Sequence, residues 1–299
     1  MSFTSEVKKE ASLLKLEGDD ARSQLSALVQ MTSSISISSR GMSLIVTTGN
    51  ASVSRAVYSL MKQRYEVEIE SAVKRRMNLK KNLIYILRIY GPIRKILEDL
   101  GIYSTRGLLD KPLQKIVSKE SCARAYLMGA FMAEGSVNSP ENSNYHLEIK
   151  AMNEAHAEFL MDLMERFNIP SKTIERRNKV IVYVKQAEKI GDFLRCIGTT
   201  ENLFKFEDAR ISRDFVNSMQ RLNNVEVANV VKSMKAANRQ LEDIQILEEY
   251  DLIKTLDSKL QDVIRLRKEN PESSLTELMS IYEEVDGVSV SKSDRKSVV

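Results

Sequence analysis

One carboxylate in this chain stands where metal chemistry would need it. The stretch "YLMGAFMAEG", Tyr126 to Gly135, reads as an apolar helix that closes on an acid, Glu134, and a glycine. Two readings are open: a metal-binding catalytic acid, or a plain helix end with Gly135 as its left-handed terminator. Hard cations such as Mg²⁺ need charged oxygen ligands, so the catalytic reading requires a second carboxylate beside the first. Zinc chemistry is not indicated. The two cysteines, Cys122 and Cys196, and the two histidines, His146 and His156, form no CxxC or HxxxH cluster.

The elements that must position Glu134 occur twice. "ARSQLSALVQMTSSI" from Ala21 lies over "ARAYLMGAFMAEGSV" from Ala123 at a shift of 102 residues. In that register Ala21, Arg22, Leu25 and Ser34 meet identical residues, and small Ala27 meets small Gly129. Each copy continues with an apolar-rich strand, an Asn (Asn50, Asn153) and a helix carrying Leu60-Met61 or Leu163-Met164. A basic pair (Arg75-Arg76, Arg176-Arg177) and an alternating strand follow. The alternative is two unrelated α+β stretches, since short similarities arise by chance. The shared order of elements favours duplication, most simply packed about a pseudo-twofold axis with the equivalent helices at its centre. There Gly129 and Ala133 would let the helices approach closely.

The same register tests the acid. Glu134 meets Thr32 and Gly135 meets Ser33, so the first repeat offers no carboxylate. One acid alone should not assemble a hydrolytic metal centre.

Between the copies, "GPIRKILEDLGIYST" and "LLDKPLQKIVSKES" form a connector punctuated by Gly91, Pro92, Gly101 and Pro112. From Arg213 onward strand signals vanish. Val227, Val230, Met234, Ala237, Leu241 and Ile244 recur at helical spacing in a segment free of Gly and Pro, which predicts a long helix leading into an all-helical domain. A break at Asn270-Pro271 precedes "SLTE", where Ser274 can cap a helix and Glu277 can close the capping box. Leu275, Leu278, Met279 and Tyr282 then form one apolar stripe. Short helices joined by a turn, near Arg265, Arg267, Lys268, Lys292, Arg295 and Lys296, fit either a helix-turn-helix or a small bundle that binds a protein. After "SKS" (Ser291, Lys292, Ser293) six residues remain, less than two turns, so the recognition helix is expected to be cut short.

With 299 residues, 42% hydrophobic and 29% charged, the chain has the composition of a two-domain globular protein. A net charge of +4 permits an anionic partner without requiring one. No run reaches the length of a membrane span and the charged opening "MSFTSEVKKE" is unlike a signal peptide, so a cytoplasmic location with reduced thiols is expected.

Four stretches together carry a family resemblance: "MSFTSEVKKE", "RAYLMGAFMAEGSV", "RLNNVEVANVVKSMKAANRQLEDI" and "LRKENPESSLTELM…VSVSKS". In this order, over essentially the whole chain, they resemble the WhiA family of bacterial regulators. The resemblance implies an α+β fold, a duplicated LAGLIDADG-like unit of homing-endonuclease type with pseudo-twofold symmetry, followed by an all-α helix-turn-helix domain. The boundaries would be residues 1–103, 104–212, a linker helix over 213–250, and 251–299. It implies a nucleoid-associated regulator of cell division and chromosome segregation, or of sporulation in sporulating relatives. Its partner would be double-stranded DNA, with another regulatory protein as a second candidate, and no cofactor.

In the endonuclease helix the acid before the last glycine holds a metal, which makes Glu134 a vestigial position and leaves no catalytic residue. DNA contacts would come from Lys74, Arg75, Arg76, Lys80, Lys81, Arg176, Arg177 and Lys179 on the sheet face. In the helix-turn-helix they would come from Ser274, Glu277, Ser291, Lys292, Ser293, Arg295 and Lys296. The chain departs from the family after Ser293, where "DRKSVV" replaces the usual run. Two other functions stay open: a protein-interaction module with weak DNA binding, and a residual metal-dependent nuclease.

Overall fold

The computed structural model describes residues 2–38, 41–75, 83–142 and 144–286. Ser2 accepts the backbone N–H of Ser5 at 3.3 Å and so starts α1 (Phe3–Leu13). The first repeat follows as α2 (Gly18–Thr32), β1 (Ser33–Ser38), β2 (Gly41–Thr48), α3 (Ala51–Arg64), β3 (Glu68–Arg75), β4 (Leu83–Tyr90) and α4 (Ile93–Asp99). A two-residue ladder, β5 (Tyr103–Ser104) with β6 (Gly107–Leu108), and a 3₁₀ turn at Gln114–Val117 lead to the second repeat. That repeat is α5 (Glu120–Glu134), β7 (Gly135–Val137), β8 (Leu147–Lys150), α6 (Glu154–Glu165), β9 (Lys172–Arg176), β10 (Lys179–Val184) and α7 (Ala187–Cys196).

Duplication is plain in the topology. Both sheets are antiparallel, with strand orders β1-β2-β4-β3 and β7-β8-β10-β9. Helices α2 and α5 begin and end at positions related by the same 102-residue shift. The recurrent asparagines are helix caps: Asn50 Oδ1 accepts from Ser52 N–H at 2.8 Å, and Asn153 Oδ1 from His156 N–H at 2.8 Å.

α2 and α5 pack against each other at the centre. A Cβ on Gly129 would lie 2.4 Å from the Gln24 carbonyl oxygen and 2.9 Å from Ala27 Cβ, so only glycine permits this approach. The termination of α5 differs from expectation. Gly135 is extended, φ −82° and ψ 153°, and takes no left-handed turn. Its missing side chain instead makes room for Phe131, whose ring carbon Cδ2 would sit 2.4 Å from a Cβ there.

The two central helices are buried for different reasons. α5 is apolar almost all round and is covered from Cys122 to Ala133 except at Arg124. α2 buries polar side chains, and each finds an acceptor. Ser26 Oγ donates to Leu100 O at 2.7 Å, Gln30 Nε2 to Leu109 O at 3.2 Å, Ser23 Oγ to Ile116 O, and Gln24 Nε2 to Met128 Sδ at 3.1 Å. The first three ties fasten α2 to the connector; the fourth fastens it to α5.

The chain divides into two compact units, Met1–Ser212 and Arg213–Val299. α8 (Thr200–Glu249) starts in the first, earlier than the sequence pattern suggests, and runs into the second. There a 3₁₀ turn (Ile253–Thr255), α9 (Ser258–Glu269) and α10 (Leu275–Asp286) complete the described elements. Of the apolar stripe on α8, Ala237 and Ile244 are buried, whereas Val227, Val230 and Met234 are exposed. On α10, Leu278 is buried but Leu275, in the first turn, is exposed.

Candidate nucleic-acid interface

Strand alternation sorts the candidate residues by face. In the second sheet Leu147, Ile149, Val182 and Val184 are buried on the helix side. By register, Ser136, Glu148, Lys150, Lys172, Arg176, Lys179, Ile181 and Tyr183 occupy the opposite, open face, on which Ile181 is buried and the other seven are not. Arg176 and Lys179 stand directly across from each other where β9 turns into β10. Like charges in that relation repel, so the pair is costly unless an anion neutralises it. Arg177 and Asn178 form the two-residue turn, both at positive φ (52° and 57°), the conformation such tight hairpins require. Among the described residues none of Arg176, Arg177 and Lys179 is ion-paired.

The equivalent hairpin of the first repeat is only partly described. Lys74 shares the open face with Glu70 and Arg88, while its neighbour Arg75 falls on the opposite face with Ile69 and Val73. The expectation of one sheet face for both is therefore corrected: adjacent strand residues point to opposite sides. Arg76, Lys80 and Lys81 lie outside the described residues. Glu70 pairs in register with Arg88 and also accepts from Tyr90 Oη at 3.2 Å, so here one acid stands opposite one base, while Lys74 stands opposite Ile84.

Glu134 is not joined by a second acid. Thr32, its counterpart, donates its hydroxyl to Leu28 O at 2.6 Å. Lys150 Nζ stands 3.7 Å from the Glu134 carboxylate. Among the described residues no group of three or more His, Cys, Asp or Glu could hold a metal ion. One acid facing an ammonium group does not fit a divalent cation.

Lys150, Lys8 and the open-face trio His146, Glu148 and Tyr183 escaped sequence reasoning. His146 Nε2 lies 3.2 Å from Glu148 Oε2, and its ring stacks on Tyr183 with centroids 5.8 Å apart. The signal available was the alternation in "HLEIK", which puts His146, Glu148 and Lys150 on one side.

Behind the site, a chain of buried polar groups joins the repeats. Met152 N–H donates to His156 Nδ1 at 3.3 Å, which leaves the ring proton on Nε2, 2.9 Å from Tyr126 Oη. Tyr126 Oη then donates to Gln30 Oε1 at 3.0 Å. Burial holds the His156 pKa down at about 4 and raises that of Tyr126.

In the second unit Ser274 and Glu277 form a reciprocal cap. Ser274 N–H donates to Glu277 Oε2 at 2.7 Å and Glu277 N–H to Ser274 Oγ at 3.3 Å, which lowers the Glu277 pKa. Both side chains are thus engaged in starting α10. Arg267, buried, donates to Ser273 O across the turn between α9 and α10. Ser291, Lys292, Ser293, Arg295 and Lys296 lie outside the described residues.

Two antiparallel αββαββα units about a paired central helix, followed by a helical unit, define the class: a duplicated LAGLIDADG-like protein with a helix-turn-helix domain. Family models match in the same order, the WhiA N-terminal LAGLIDADG-like domain at residues 19–103, the WhiA LAGLIDADG-like domain at 123–216 and the WhiA C-terminal HTH domain at 219–296. The chain belongs to the WhiA family. It is 42% identical to the probable cell division protein WhiA of Bacillus pumilus over 95% of this chain and 90% of that protein. With the Bacillus cereus (strain B4264) protein of the same description it shares 43% over 98% and 92%. The crystal structure of full-length WhiA from Thermatoga maritima has the same fold, with a TM-score of 0.62 at 24% identity, covering 100% of this chain and 95% of that one. No helix among the described residues is long and apolar enough to cross a membrane.

Proposed function

We propose that this chain is a non-catalytic, sequence-selective DNA-binding regulator acting in cell division and chromosome segregation, or in sporulation where the host sporulates. The observation that carries the reading is the unneutralised pair Arg176 and Lys179 on the open face of the second sheet, beside Arg177 in the turn. Backbone phosphates supply the anion that such a pair lacks. The helix-turn-helix family match supports a second contact through the helical unit, where base edges are read. The name borne by the relatives, cell division protein, supports the cellular role. The partner is double-stranded DNA, and the working location is the nucleoid.

The test is recovery of genomic DNA by the full chain at two salt concentrations, beside a chain lacking residues 213–299. Recovery should be strong at low salt and fall steeply at high salt. A chain that recovers no DNA at low salt would instead be a protein-interaction module.

A further inference from the structure

The end of α5 holds an imbalance of charge. Glu134 faces Lys150 at 3.7 Å, and a second ammonium, Lys8 of α1, acts on the same carboxylate. α1 is pinned there by Thr4, whose hydroxyl donates to Val137 O at 2.7 Å and accepts from Val137 N–H at 2.9 Å. Lys8 Nζ lies 5.9 Å from the Phe131 ring centroid, partly out of water. Burial lowers its pKa to about 8, with Glu134 opposing that shift and Lys150 adding to it. The other acid of this face, Glu148, is engaged by Ser136 Oγ at 3.3 Å and His146 Nε2 at 3.2 Å. Glu134 is ion-paired with Lys150, whereas Lys8 beside the Phe131 ring makes no ion pair among the described residues, and a partly desolvated cation without a paired counter-charge is costly. In the first repeat the corresponding positions, Thr32 and Thr47, are uncharged, so the feature belongs to the second repeat alone.

We propose that Lys8 and Lys150 hold one backbone phosphate of DNA at the end of α5, without a metal, and that Glu134 sets the two ammonium groups in place while competing with that phosphate. This rests on the DNA-binding reading and adds a phosphate contact on the same open face as Arg176 and Lys179.

The test is a fluorescence-anisotropy titration of the full chain with a mixed-sequence DNA duplex over a series of salt concentrations. Lys150→Ala and Lys8→Met should each weaken binding about 3- to 10-fold and reduce the salt slope by about one. Lys150→Arg should retain affinity. Glu134→Gln should tighten binding several-fold, the opposite sign from any structural damage. Unchanged affinity and slope in Lys150→Ala would overturn the proposal, as would weakening in Glu134→Gln equal to that in Lys150→Ala. Inorganic phosphate at matched ionic strength should compete no better than chloride; selective displacement by it would assign the position to a free anion and overturn the DNA contact. If Arg176→Ala weakens binding while Lys150→Ala does not, the phosphate anchor fails and the DNA reading stands. A wild-type chain with no affinity at low salt removes the DNA reading itself.

Discussion

His156 is the residue whose protonation the fold opposes most clearly. Its pKa falls from the ordinary 6.5 to about 4 because burial disfavours the charged ring. Between those values the unfolded chain binds the extra proton and the folded chain does not, so stability rises with pH across this window. The contribution is complete above pH 6.5 and is lost as pH falls toward 4, by about 3 kcal/mol in all. Urea midpoints measured at pH 7.5 and pH 5 should record the loss, and His156→Gln should flatten it. Tyr126→Phe removes the link between His156 Nε2 and Gln30 Oε1, leaving both buried and unpaired. Its expected cost is about 1–3 kcal/mol at neutral pH, read as a lower urea midpoint.

At the scale of elements, the central contact of α2 and α5 depends on one missing methyl group. Gly129→Ala places a Cβ 2.4 Å from the backbone oxygen of Gln24, which no rotamer change can relieve. The helices must separate, at an expected cost of about 1–3 kcal/mol in equilibrium unfolding. α10 depends instead on its cap. Ser274→Ala deletes the bond to Glu277 N–H and should destabilise that helix by about 1 kcal/mol, seen as faster amide exchange in its first turn. Duplication was legible in the sequence because the repeated asparagines and helix ends are local signals. The polar burial of α2 was not legible, since Ser23, Ser26 and Gln30 find their acceptors in a connector dozens of residues away. Nor was the side taken by Arg75, which the pairing of β3 with β4 decides.

For the whole molecule, the proposed function predicts affinity without hydrolysis. Supercoiled DNA incubated with the chain and Mg²⁺ or Mn²⁺ should remain uncut. Nicking that disappears in Glu134→Ala would reverse the reading and restore a catalytic role to that acid.

By itself the sequence determined the duplicated α+β plan, the caps at Asn50, Asn153 and Ser274, and the absence of a partner acid at Thr32, because each is written in residues close together or in a repeating register. The tertiary structure alone decided what surrounds Glu134. Lys8 comes to this end of α5, beside the Phe131 ring, only because α1 docks against β7, a contact between segments more than a hundred residues apart. Burial and the local electric field are properties of that packing. Pattern and spacing could locate the acid at the end of its helix, but not the ammonium of Lys150 that faces it or that of Lys8 beside Phe131.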